Sequence, residues 1–194
     1  MKQLSLFLLS LLGWKVDFNM PPEHKRSLVI AAPHTSNWDF LFVRLAFWAL
    51  QVPMKVAIKD DWTKFPFGLV IKPLGGVGVN RSPRVKGEKR LSQVEAMADL
   101  FDQYDEIGLV IAPEGTRKLV SNWKMGYYWI ASQANVPIVC GYLDYKNKVA
   151  GIGPHVIHPK GNPDDELNAV MDFYQDITGR NPDQFQIDRR YAQD

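Results

Sequence analysis

A single cysteine, Cys140, among 194 residues removes whole classes of chemistry at once. No intrachain disulfide is possible and no thiolate metal cluster can form, which suits a reducing compartment. Residues 136–142 read as a buried strand, so the expectation for Cys140 is a core thiol and not a nucleophile. Long hydrophobic runs are also missing. The apolar stretch at residues 4–12 falls well short of the roughly 20 residues that cross a bilayer. Gly13, Trp14 and Lys15 follow it where a secretory cleavage site would need small residues, so the segment is expected to be retained. The chain lacks G-x-x-x-x-G-K-[ST], H-E-x-x-H and G-x-S-x-G, the signatures of phosphate loops, zinc proteases and nucleophile elbows. Gly76 and Gly78 form only a fragment of a dinucleotide fingerprint, because Arg81 stands at the third glycine position. His24, His155 and His158 have no partner at metal-ligand spacing.

One-sided charge is scarce as well. A net charge of +2 is too small to point to nucleic acid, yet residues 55–90 hold nine basic residues against three acidic ones. That stretch suits anionic headgroups or a phosphorylated substrate as well as it suits a solvated lysine-rich face. Hydrophobic residues at 46% and charged residues at 23% argue against both disorder and a many-helix membrane protein. The length supports one sizeable core, so a single domain over residues 1–194 is expected. Residues 1–14, ending in Trp14 and Lys15, are expected to lie in a membrane interface as a short helix, with packing on the core as the alternative.

Hydrophobic patterning predicts strands at 28–32, 55–59, 76–80, 107–112, 137–145 and 148–152. Helices are predicted at 38–50, in part of 62–72, and at 84–104, 123–135 and 164–178. In the 84–104 segment Leu91, Val94, Met97, Ala98 and Phe101 form one apolar stripe, which marks core. This alternation implies an α/β fold, a single layered domain with a central mixed sheet flanked by helices and a short apolar N-terminal helix. The aromatic run from Trp123 to Trp129 is expected to pack on that sheet, with an acyl channel or a membrane interface as the alternative roles.

Chemistry concentrates where a predicted strand gives way to a helix. His34-Thr35-Ser36-Asn37-Trp38-Asp39 sets a histidine and an aspartate five apart. In a turn entering a helix, that spacing lets the carboxylate fold back onto one imidazole nitrogen and leave the other to take a proton. The same Asp39, three residues after Ser36, also fits a helix-capping carboxylate. A second motif, Ala112-Pro113-Glu114-Gly115-Thr116-Arg117, follows the most strand-like run, and Gly76-Val77-Gly78-Val79-Asn80-Arg81 puts another arginine at a strand end.

With Val136-Pro137-Ile138, these segments resemble, in order, the four motif blocks of the glycerolipid acyltransferase family typified by 1-acylglycerol-3-phosphate acyltransferases. The resemblance covers roughly residues 28–145 and implies the following expectations. His34 is the general base on an acceptor hydroxyl, Asp39 orients it, and the activated oxygen attacks an acyl thioester directly. Arg81, Glu114, Gly115, Thr116 and Arg117 hold the acceptor: the arginines on its phosphate, Gly115 by close backbone approach, and Glu114 by fixing an arginine or bonding an acceptor hydroxyl. No cofactor or metal is needed. The donor is acyl-CoA or acyl carrier protein, the acceptor a lysophospholipid such as 1-acylglycerol-3-phosphate, and the enzyme sits peripherally on the cytoplasmic face of the membrane. Backbone amides near Thr35 and Ser36 are candidate oxyanion donors. Gly78 departs from the family pattern, which carries bulkier residues there. An acyl thioester hydrolase and a non-catalytic, membrane-associated lipid-binding protein are the competing readings.

Overall fold

The computed structural model describes residues 1–83, 89–160 and 163–190. Seven strands form one sheet: β1 (Lys15–Val16), β2 (Arg26–Ala31), β3 (Met54–Lys59), β4 (Gly76–Val79), β5 (Ile107–Ile111), β6 (Ile138–Asp144) and β7 (Val149–Ile157). Their order is β1-β7-β6-β2-β5-β3-β4, and only the β6–β7 pair is antiparallel. Five neighbouring strands from β6 to β4 therefore run in one direction, and all end on the same edge. In an open parallel sheet that edge is where loops gather to build a site.

Strands buried on both faces must be apolar throughout, and β2 shows this in its run Leu28, Val29, Ile30. Leu28 and Ile30 enter one core, with Ile107, Leu109, Ile138 and Cys140. Val29 enters the other, with Met54, Val139, Leu143 and Ile152. Burial pushes the Cys140 thiol up to about 12, so it stays protonated as an inert core group.

Three helices close the first core: α4 (Gln93–Ala98), α5 (Gly126–Ala134) and α6 (Pro163–Gln175). Trp123, Tyr127 and Tyr128 are buried there, so the aromatic run packs on the sheet as its composition suggests. On the second face lie α1 (Lys2–Leu11), α2 (Trp38–Leu50) and the one-turn α3 (Gly68–Ile71). The placement of α3 follows from the pleat of β4. Val77 and Val79 point into the first core, whereas the opposite side of Gly76 meets Ile71. A Cβ on Gly78 would lie 2.5 Å from Asp60 Oδ1 and 2.9 Å from Thr63 Oγ1. The turn at Asp60–Thr63 thus packs closely on β4, and a bulkier residue at Gly78 would have to displace the Asp60 and Thr63 side chains, which gives the departure from the family pattern a structural reason.

Two expectations need correction. Trp14 lies beyond the end of α1 and is not itself at an interface: it is only 6% exposed and stacks on Phe42 at 4.6 Å. The predicted helix at 84–104 is much shorter, because Ser92 and Glu95 form a capping box that starts α4 at Gln93, and a 3₁₀ turn follows at Phe101–Gln103. Residues 84–88 of that prediction lie outside the described residues.

Candidate active site

His34 sits just beyond β2, at the carboxyl edge of the sheet, and Asp39 is the second residue of α2. The turn between them is built around the Asp39 carboxylate, which is 4% exposed. Its Oδ2 accepts the backbone N–H groups of Thr35 and Ser36, each at 2.9 Å, and faces His34 Nδ1 at 3.2 Å. Its Oδ1 accepts the Tyr145 hydroxyl at 2.8 Å. The capping role and the histidine-orienting role are therefore one role. The bond to Ser36 N–H closes the turn, and the same oxygen meets the imidazole.

Burial alone would push the Asp39 carboxyl up, but the hydrogen bonds from His34, Tyr145 and Ser36 outweigh it and hold the group below its ordinary value. An ionised carboxylate only accepts, so His34 Nδ1 must carry the proton and Nε2 presents its lone pair. Tyr145 stays a donor because burial, with Asp39 beside it, pushes its hydroxyl well up. The Thr35 and Ser36 amides are spent on Asp39 and are not available as oxyanion donors. That expectation is overturned.

Glu114 lies in the loop after β5, and its Oε1 accepts the backbone N–H of His34 at 2.9 Å. Parallel pairing of β2 with β5 brings the two loops side by side across 80 residues of chain. Burial pushes this carboxyl up to about 7, against the smaller opposing pull of the His34 amide. It is only 4% exposed and its bond goes to the His34 backbone. Where a bond to an acceptor hydroxyl or an arginine was expected of it, the bond present holds the loop that carries His34. Gly115 has φ +64°, a backbone shape that favours glycine, and the Lys124 ammonium lies where a Cβ would point. Thr116 Oγ1 accepts the Lys118 N–H at 3.3 Å. Arg117 is exposed and lines the cavity described next. Arg81, by contrast, stands at the end of β4, three strands from β2 and hence roughly 14 Å away by strand spacing. Its Nε donates to the Leu91 carbonyl at 3.0 Å.

The cavity, of about 280 Å³, opens at His34 and Asn37 and runs beneath α2. Phe40, Val43, Ala46 and Phe47 form its roof, and Met54, Val56, Val110 and Leu143 belong to its floor. Its lining is mainly apolar, and the His34 side chain, 30% exposed, stands at its mouth. Among the described residues, no group of three or more His, Cys, Asp or Glu side chains is arranged to hold a metal ion.

A family model described as Acyltransferase matches residues 16–143, well over half of the chain. The chain belongs to the acyltransferase family. Among solved structures, this acyltransferase is similar to the 1-acyl-sn-glycerophosphate (LPA) acyltransferase PlsC from Thermotoga maritima. The TM-score is 0.55 at 19% identity, over 86% of this chain and 71% of that one, a likeness of fold. No curated protein matches the acyltransferase.

Sequence reasoning missed Tyr145, Asn181 and Gln184. Asn181 donates its backbone N–H to Thr35 Oγ1 at 3.1 Å and its side-chain amide to Thr35 O at 2.8 Å. These partners lie 106 and 146 residues from the motif they support, and no local pattern announces them.

Proposed function

We propose that this acyltransferase moves a fatty acyl group from a thioester of CoA or acyl carrier protein to the hydroxyl of a lysophospholipid, at the cytoplasmic surface of a membrane. One observation carries the reading: an imidazole with a carboxylate-oriented Nδ1 stands at the mouth of an apolar cavity. The cavity, just below the roughly 300–1,000 Å³ of typical ligand pockets, suits an alkyl chain better than a polar substrate. Burying each methylene there contributes about 0.8 kcal/mol.

In this mechanism His34 Nε2 takes the proton of the acceptor hydroxyl as its oxygen attacks the thioester carbonyl. The tetrahedral intermediate collapses with cleavage of the carbon–sulfur bond, and the imidazolium returns its proton to the departing thiolate. Asp39 stabilises the transient imidazolium and Tyr145 holds the carboxylate in place. No acyl-enzyme forms. Of the two motif arginines, Arg117, beside the cavity and exposed, is the better placed to meet an acceptor phosphate, while Arg81 would contribute from farther along the same edge.

The membrane surface is supported by exposed apolar side chains on α1 (Leu4, Phe7, Leu11) and around α3 (Phe65, Phe67, Leu69), the same face that holds the cavity. No helix among the described residues is long and apolar enough to cross a membrane, so contact would be interfacial.

The test is thiol release from a long-chain acyl-CoA or acyl carrier protein in mixed micelles, with and without lysophosphatidic acid, for the wild type and His34→Ala. Release that requires both acceptor and His34 supports transfer. Release without acceptor would replace the reading with thioester hydrolysis.

A further inference from the structure

The family match ends at residue 143, yet the segment after α6 closes over the loop that carries His34. Thr178 O accepts the Tyr145 N–H at 2.9 Å. Gly179 packs so tightly that a Cβ would lie 3.0 Å from both Pro33 Cβ and Thr35 Oγ1. Asn181 clamps Thr35 through two hydrogen bonds. Gln184, its amide turned to satisfy its neighbours, donates to Arg117 O at 2.8 Å and to Thr35 O at 3.2 Å. Farther on, buried Asp188 accepts the Trp123 N–H at 2.8 Å and pairs with Arg190. The segment is a strap, fixed at several points to the His34 and Arg117 loops.

Arg180 is carried between those fixed points. Its guanidinium lies 5.4 Å over the ring of Trp38 and beside the Tyr145 hydroxyl, the group that holds Asp39. Held between the Trp38 ring and the Tyr145 hydroxyl, a guanidinium with five N–H donors keeps donors for a further partner and has little rotamer freedom left to lose on binding. Such a preorganised fork is matched to tetrahedral oxyanions.

We propose that Arg180 is a phosphate-binding residue of the active site, held by the strap so that it meets a substrate phosphate presented beside His34. This rests on the acyl-transfer reading, which supplies two sources of phosphate: the acceptor headgroup and the CoA or phosphopantetheine of the donor.

Binding of unreactive probes separates the sources and needs no turnover. One pair is an ether-linked lysophosphatidic acid and the matching phosphate-free alkylglycerol. The other is a long-chain alkyl thioether of CoA and the same thioether of phosphate-free pantetheine. Calorimetric titration in micelles is run on the wild type, Arg180→Gln and Arg180→Lys. Loss of a charge-assisted hydrogen bond predicts that Arg180→Gln binds the phosphate-bearing member of one pair about 10-fold or more weaker. Its phosphate-free partner should change less than about twofold, and Arg180→Lys should recover part of the loss. The affected pair identifies the source. Unchanged binding of both phosphate probes, or equal losses within each pair, would show that Arg180 merely packs on Trp38 and overturn the proposal. A wild type that shows this phosphate selectivity but transfers no acyl group would remove the transfer reading and leave the Arg180 site standing.

Discussion

The two faces of the sheet are built from the same strands and finished differently. Beneath α4, α5 and α6, Phe101, Trp123, Tyr127, Tyr128 and Tyr174 are buried, and Tyr174 hands its hydroxyl to the carbonyls of Ile30 and Gly141. Under α2, on the other face, a cavity remains, and large apolar side chains face outward from α1 and from α3 and the turn before it, up to 84% exposed at Phe65. Close packing to crystal-like density is what a soluble core normally achieves. An exposed apolar layer above an open apolar cavity is the arrangement that the proposed exchange of acyl chains with a lipid surface would use. On that proposal the sealed face carries stability and the open face carries function.

The sharpest way to break that division is at the histidine itself. His34→Ala should lower turnover by roughly 10²- to 10⁴-fold, the usual worth of a positioned base, with the thermal unfolding midpoint almost unchanged. On the sealed face the pattern should reverse. Phe101→Ala removes a fully buried ring and should cost about 3–5 kcal/mol in denaturant unfolding while leaving acyl-chain preference alone. Ala46→Phe, projecting from α2 into the cavity, should shift preference toward shorter acyl donors. Chain-length profiles that respond to Phe101→Ala and not to Ala46→Phe would collapse the distinction between the faces.

What could be read from sequence followed the same division. The α2 boundaries were legible at both ends because the helix begins in the Ser36–Asp39 turn and is apolar on the face it buries. The runs of β2, β5 and β6 were legible because they are largely buried on both sides, whereas β1 was not expected at all and β7, expected at 148–152, runs on to Ile157. The start of α5 was not: Trp123 was expected inside it, but its N–H goes to Asp188, 65 residues later. Long-range partners also explain the rest of the site that sequence left unread. Asp39 and His34 declare each other by spacing, whereas Tyr145, Asn181 and Gln184 reach them only through strand order and the closing strap. Glu114 was singled out for the right loop, but its contact with the His34 amide depends on β2 and β5 being neighbours.

A surface comparison tests the membrane side. Replacing exposed Leu69 and Val70 of α3 with aspartate should weaken co-sedimentation with anionic vesicles by about 10-fold or more, because each aliphatic side chain contributes about 1.5–3 kcal/mol when fully inserted and less when partly so. The control is Trp129→Asp, an exposed aromatic on α5 of the sealed face, which should leave sedimentation unchanged. Equal effects from both faces would deny the open face its lipid contact.

The smallest effect expected is one of pH, and it separates the two buried carboxyls that meet the His34 loop. Glu114 has its folded-state value raised by burial from 4.5 to about 7, so between those values the folded protein binds more protons than the unfolded chain. Its contribution to stability is therefore complete below about pH 4.5 and is lost as pH rises through 7. Asp39 is lowered, so its contribution is present above its unfolded value near 3.8 and disappears only as pH falls below that. The two windows do not overlap. Glu114→Gln keeps an oxygen to accept the His34 N–H but cannot titrate, and should flatten the decline in unfolding free energy between pH 4.5 and 7 while leaving the acid limb untouched. Persistence of the wild-type slope in Glu114→Gln would mean that the group titrating there is not the one beneath His34.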